Sequence, residues 1–490
     1  MKPNQLFING KWQSGKNGRT FEVQNPSDES TIGIVAEAEI ADVKEAMEAA
    51  YIAQKPWELT PILQRATYFK KLIALTLENK EKLATLLTVE QGKRYVDALG
   101  EVDDTIAYME SAIANIGLIR GDILPTAEVG EAITVEKVPY GVVVALCAWN
   151  YPLALVGRKI APALITGNTV VLKPHELTPL TTIAFFELIE QAGFPEGVMN
   201  LITGTGTETG QALVTHKHAR LITLTGSVGA GKAVYEAAAG NVAGLILELG
   251  GKAPFIVLED ADIDLAVEAA VASRFANCGQ ICICCDMIFV QESIKDMFTE
   301  KLLKKVGELK VGDPMDSATD MGPKMCQSDI DKMNAIVEKS VTAGAKILCG
   351  GGKPKTQVTE FDKGYWYAPT VLGEVTMDMA VAKEEIFGPL LPVIAMRDFN
   401  EVFAYTKASP YGLACYLFTK DEAVIRRAMS EIEVGTIFVN RAITGSMLAY
   451  HGGHKLSGLN GEDGEYGMQD FLQKKVIYRK YEQASVFDNI

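Results

Sequence analysis

No apolar run in this chain approaches the roughly 20 residues that a membrane-spanning helix requires; the longest strand-like stretches, such as Val142 to Ala148, stop far short. No basic tract stands out. With 47 Lys and Arg against 62 Asp and Glu the formal charge is −15, which opposes docking on nucleic acid or on an anionic membrane surface. The N-terminal MKPNQLFINGKWQSGKNGRTF lacks the apolar core of a secretion signal, so the expectation is a soluble protein of the cytoplasm. Cysteine is sparse, eight in 490 residues, which excludes a disulfide framework. Histidine is sparser, at five, and none lies near the four cysteines that crowd together at Cys278, Cys282, Cys284 and Cys285. That spacing also lacks a paired C-x-x-C knuckle, which argues against a zinc or iron–sulfur site. Internal repeats and low-complexity tracts are absent as well.

What is present is a regular alternation of short apolar runs and amphipathic stretches from residue 141 onward. GVVVALC reads as a buried strand, and the turn AWNYP leads to a helix from about Leu153 to Leu164. NTVVLKP, VMNLITG, LITLTGS and LILELGG continue the strand series, with helices between them, one of them Gly/Ala-rich from Gly231. A second series opens near Ala253 with APFIVLED, the helix DIDLAVEAAVASRFA and the strand MIFVQ. Two α/β domains with parallel sheets are the economical reading. Long helices fill the N-terminal portion. The segment near 120–140 and the tail KKVIYRKYE alternate like strands.

The cysteine cluster then requires a chemistry. A thiol after a helix and a Gly-Gln turn is placed to be an activated nucleophile, whereas free cysteines elsewhere are commonly small buried hydrophobes. Glu248, 34 positions before Cys282, ends an apolar strand-like run, where a carboxylate is costly unless it has a task or a partner. Asn150 sits in a strand-to-helix turn. Cys284 and Cys285 lie two and three positions beyond Cys282, close enough for an oxidative disulfide with it where the loop brings the Cα atoms into range.

GQIC with LELGGK upstream, WNYP, VLKPHELTP, GSVGAG and EEIFGP occur here in the order seen in the aldehyde dehydrogenase superfamily, and the chain resembles that family from FINGKW to SGLNGEDGEYG. The resemblance implies two Rossmann-like α/β domains with a β-strand oligomerisation arm. It places an NAD-binding domain at 1–118, 141–247 and 446–467, a catalytic domain at 248–445, and the arm at 119–140 and 468–490, so that a homodimer or homotetramer is expected. It implies Cys282 as nucleophile, Glu248 as base and Asn150 as oxyanion donor. Lys173 and Glu176 would hold the adenosine ribose, Glu176 favouring NAD over NADP, and Ser227 would meet the pyrophosphate at a helix N-terminus. Glu385 and Phe387 would position the nicotinamide half, with Leu146, Trp149, Gly206, Gly226 and Leu249 along the cofactor. No metal is implied. The presence of Glu248 favours hydrolysis of the acyl enzyme over transfer to coenzyme A.

Arg158, on a mostly apolar helix, reads as a salt bridge or an anion site, and His451 falls in the loop that shapes the mouth of the family's substrate tunnel. Together they resemble the branch that oxidises lactaldehyde and glycolaldehyde. A succinate semialdehyde dehydrogenase is the alternative, although the second arginine of that branch is Ala276 here, with Arg274 nearby. Two further departures from the family pattern are Ala148 for the usual Pro and Met287 for an Arg.

Overall fold

A computed structural model describes residues 4–354, 362–443 and 445–481. Its first sheet is built on five parallel strands: β1 (Val142–Leu146), β2 (Thr169–Lys173), β3 (Met199–Leu201), β4 (Ala219–Thr225) and β5 (Gly244–Glu248). Their spatial order is β3-β2-β1-β4-β5, so the chain reverses its direction of travel between β1 and β4. Leu6–Ile8 adds antiparallel beyond β3, and Gly458–Leu459 beyond β5. All five residues of β1 and of β2 are buried, which is why those runs are apolar throughout instead of alternating.

The second sheet follows the same logic. It contains β6 (Ala253–Val257), β7 (Cys285–Gln291), β8 (Thr370–Gly373), β9 (Leu390–Met396), β10 (Ala414–Phe418) and β11 (Thr436–Val439), in the order β8-β9-β7-β6-β10-β11. Lys346–Cys349 caps the β8 edge as an antiparallel strand. Met287 lies wholly buried on β7 among Ile256, Phe289 and Leu390, so a core side chain stands where the family pattern has a cation.

Three helices position the site. α1 (Ala154–Ile165) follows β1, α2 (Val228–Ala238) follows β4, and α3 (Ile263–Phe275) follows β6. α2 begins three residues before the Gly231 start that composition suggests, because the Ser227 hydroxyl accepts from the Ala230 N–H at 3.1 Å and caps it. Glu131–Pro139 pairs along its whole length with Leu472–Lys480 and, on its other side over Ile133 to Val135, with Asp122–Leu124. This small three-stranded sheet leaves Ile123, Val476 and Tyr478 exposed. Residues 482–490 of the expected arm lie outside the described residues.

Candidate active site

The loop after α3 is held in an uncommon backbone conformation. Asn277, Cys278 and Gly279 have φ of 46°, 57° and 71°, three consecutive left-handed residues of which only one is glycine. Such strain persists only where surrounding contacts over-determine it. Here the Asn277 amide donates to the Asn150 carbonyl at 3.1 Å, and Gln280 Nε2 donates to the Asn277 carbonyl at 2.9 Å. The Met325 N–H donates to Gln280 Oε1 at 3.0 Å. The loop delivers Cys282 half-buried, whereas Cys278, Cys284 and Cys285 are buried. Burial pushes the Cys278 and Cys284 thiols up to about 12 and raises Cys285 as well. Cys284 is engaged by the Arg274 guanidinium at 3.0 Å, and Cys285 opens β7. All eight cysteines are free. The two thiols after Cys282 are thereby embedded among core partners of their own, not gathered around it.

Glu248 ends β5 and is 2% exposed. One carboxylate oxygen, Oε2, lies 3.1 Å from His451 Nε2. The other, Oε1, is buried without a hydrogen-bond partner among the described residues, so one oxygen is anchored and the other is available to take a proton. The His451 ring also faces the Cys282 thiol, which helps to hold the ring's proton. Sequence places His451 at the mouth of a tunnel; the structure brings it to Glu248 and to the cavity that Cys282 lines. The reason is local. His451 and Glu462 exchange both backbone hydrogen bonds, at 2.8 and 2.7 Å, and this fixes the loop over the end of β5.

Asn150 is 6% exposed. Its amide donates to the Gln280 carbonyl at 2.9 Å, which uses one of its two N–H groups. Its own carbonyl accepts from Lys93 Nζ at 2.8 Å. Lys93 pairs with Glu101, and Glu101 accepts from the Leu153 and Ala154 N–H groups at 2.8 and 3.1 Å, satisfying the start of α1.

Arg158 and Lys159 project from α1 into a buried ionic cluster. Lys159 Nζ meets Glu462 Oε1 at 2.6 Å, and Arg158 Nε meets Glu462 Oε2 at 3.2 Å. Arg158 also grips Asp463 with two nitrogens, Nε to Oδ1 being 2.9 Å. Of the two readings that the sequence allows for Arg158, the structure supplies the salt bridge. Sequence reasoning missed Lys93, and also Asp463 and Glu462, which lie far along the chain from their partners. The EDG turn was the one signal available, since Asp463 holds a left-handed φ of 67°.

Cys282, Glu248, His451, Asn150, Arg158 and Asp463 line a cavity of about 1120 Å³. It opens at the carboxyl ends of β1 and β4, where the strand order reverses, the usual place for a nucleotide in an open α/β sheet. Leu146, Trp149, Lys173, Glu176, Gly206, Gly226, Ser227, Leu249, Glu385 and Phe387 line the same cavity. The structure thus brings the catalytic, cofactor and substrate residues expected from the sequence to one space, while Cys278, Cys284, Cys285 and Met287 lie in the core. The N-terminus of α2 faces it through Ser227 and Ala230, and Thr225 Oγ1 is buried there without a hydrogen-bond partner among the described residues. Lys173 Nζ lies 3.3 Å from Glu176 Oε2. Glu385 accepts from the Gly251 N–H at 2.9 Å, yet burial outweighs that bond and pushes its carboxyl up to about 7. Phe387, at a φ of 54°, meets Trp149 edge-on with centroids 5.4 Å apart.

Residues 12–477 match the Aldehyde dehydrogenase family. A 3,6-anhydro-alpha-L-galactose dehydrogenase of Vibrio sp. (strain EJY3) is 43% identical over 482 residues, covering 98% of this chain and 100% of that one. The lactaldehyde dehydrogenase of Escherichia coli (strain K12) is 35% identical over 474 residues, covering 96% and 98%. A solved structure of a 3,6-anhydro-L-galactose dehydrogenase in complex with NADP superposes with a TM-score of 0.95 at 44% identity, covering 97% of this chain and 100% of that chain. The sugar-derived aldehyde in the first of these names was not anticipated from the sequence.

Proposed function

From the premise that this chain belongs to the aldehyde dehydrogenase family, we propose that it oxidises a small 2-hydroxyaldehyde, of the lactaldehyde or glycolaldehyde kind, to the carboxylic acid with NAD. The observation that carries this reading is the convergence of Cys282, Glu248, Asn150 and His451 at one end of a single cavity. Cys282 attacks the aldehyde carbon as a thiolate and forms a thiohemiacetal. The second amide N–H of Asn150 and the Cys282 backbone N–H are the donors for the oxygen that becomes negative. The dinucleotide, when bound, supplies a hydride acceptor, and loss of hydride leaves an acyl thioester on Cys282. Glu248 then takes a proton from water through Oε1, the hydroxide adds to the thioester carbon, and the acid leaves as the thiolate is restored.

The other end of the cavity fits a dinucleotide. Lys173 and Glu176 stand past β2 for the adenosine ribose, and the start of α2 offers free N–H groups to a pyrophosphate. Glu385 and Phe387 flank the nicotinamide half. The Glu176 carboxylate favours a ribose hydroxyl over a 2′-phosphate, which supports NAD although a relative was solved with NADP. The small sheet with exposed Ile123, Val476 and Tyr478 supports a homodimer or homotetramer.

Substrate choice rests on Arg158. Lactaldehyde carries a hydroxyl beside the aldehyde, as does the open form of 3,6-anhydrogalactose. Succinate semialdehyde carries a carboxylate instead, and Arg158 already pairs with Asp463 and Glu462. Steady-state kcat/KM with NAD and with NADP, across lactaldehyde, glycolaldehyde and succinate semialdehyde, tests each part. A lactaldehyde preference with NAD supports the reading; no dinucleotide reduction with any aldehyde would sink it.

A further inference from the structure

We propose that Asp463 determines the charge specificity of this site: by pairing with Arg158 it turns an anion clamp into a neutral hydrogen-bonding pair, so the cavity takes uncharged hydroxylated aldehydes and rejects aldehydes with a second, anionic group. The proposal rests on the reading of the chain as an aldehyde-oxidising enzyme.

The charges in the cluster balance. Two cations, Arg158 and Lys159, face two carboxylates, Glu462 and Asp463, and all four are nearly or wholly shielded from solvent. Glu462 cannot be the variable member, because Lys159 holds its Oε1 at 2.6 Å on the side of Thr223. Asp463 is the one that reaches the cavity wall, together with Arg158, Tyr108 and Asp104. Its position is specified by the backbone. The left-handed turn at φ 67° is closed by the Gly467 N–H donating to the Asp463 carbonyl at 2.9 Å, and the neighbouring Glu462 is tied to His451. The Tyr108 ring lies under the guanidinium, 5.6 Å from its centroid, and limits Arg158 to this orientation.

A guanidinium has five N–H donors and a carboxylate about four acceptor sites. A bidentate pair uses two of each, so the pair still offers donors and acceptors side by side, which is what a hydroxyl needs. An incoming carboxylate meets a different balance. To reach Arg158 it must displace Asp463, leaving that carboxylate desolvated and unpaired, and Asp104 adds a second acidic group to the same wall. Like charges in a poorly solvated pocket discriminate strongly between ligands of the same shape.

The experiment compares succinate semialdehyde with its methyl ester, which differ chiefly in charge, in the wild-type enzyme and in Asp463→Asn. The expected result is that the wild type prefers the ester and that Asp463→Asn moves the ratio of kcat/KM by about tenfold or more toward the anion, mainly through KM. The double variant Asp463→Asn/Arg158→Gln should lose that gain, which separates an unmasked arginine from general loosening. Should Asp463→Asn prove unstable, the wild-type ratio and its change in Arg158→Gln still decide: a wild type that favours the anion, or a ratio unchanged in every variant, overturns the proposal. A wild type that oxidises neither aldehyde, nor lactaldehyde, would overturn the reading of the chain as an aldehyde-oxidising enzyme instead.

Discussion

His451 Nε2 and Glu248 Oε2 stand 3.1 Å apart at the end of β5, an ion pair made by two residues far apart in the sequence. Burial and the nearby Arg158 act against charge on the imidazole, but Glu248 and the Cys282 thiol outweigh them and push His451 up to about 10 from its ordinary 6.5. Because the folded-state value is the higher one, the stabilisation is fully present below about 6.5 and is lost as pH rises through about 10. The thermal midpoint of the wild type should therefore fall between pH 7 and pH 10 by more than that of His451→Gln. Parallel melting curves at three pH values check this; equal slopes would remove the pair from the stability account.

Glu248→Gln should separate the two halves of turnover. With Cys282 intact, acylation continues and a burst of about one reduced nicotinamide per subunit appears. The steady state then falls by roughly 10²–10⁴, the range for loss of a general base. Rapid mixing followed by steady-state recording measures both. A full-rate steady state would mean that another group activates the water.

Lys159→Met should be one of the more damaging single changes in the protein. Burial disfavours the Glu462 carboxylate, yet Lys159 and Arg158 hold it down at about 2. A depressed acid stabilises the fold above its ordinary value of 4.5 and loses that contribution as pH falls through about 2. Removing Lys159 leaves the charge under-compensated, at a cost of about 3–5 kcal/mol. Denaturant unfolding at neutral pH should show the loss, and the variant's acid unfolding should begin at higher pH than the wild type's.

Gly279→Ala tests the strained loop. A Cβ there would stand 2.4 Å from the Gly388 carbonyl oxygen and 2.9 Å from that of Arg274, at a φ of 71°. Both obstacles are backbone and neither can swing aside. The expected outcome is a kcat reduced by about 10² or more, since small misplacements of a reacting group are costly, with slower alkylation of Cys282 by iodoacetamide. Unchanged alkylation and turnover would show that the loop tolerates a different path.

The parallel strands were legible because burial on both faces leaves continuous apolar runs, and Cys282, Glu248 and Asn150, singled out by their register within several motifs, do meet in one cavity. Arg158 was visible as an anomaly on an apolar helix, but its partner Asp463 was not: ion pairs across 305 positions leave no local pattern. The role of His451 was displaced by a backbone ladder to Glu462 that no periodicity announces. Left-handed Asn277 and Cys278 were equally hidden, since neither is glycine and the contacts that enforce their conformation come largely from Asn150 and Met325.

Those contacts carry a consequence for the newly made chain. The conformation that presents Cys282 depends on the carbonyl of Asn150, which belongs to the other sheet's turn. Until the two halves dock, the loop has no reason to adopt three left-handed residues in succession, and Cys282 is an ordinary thiol without its imidazole or its carboxylate. The reactivity proposed for Cys282 therefore requires both halves together, and a clipped chain that lacks either one lacks the contact that shapes this loop.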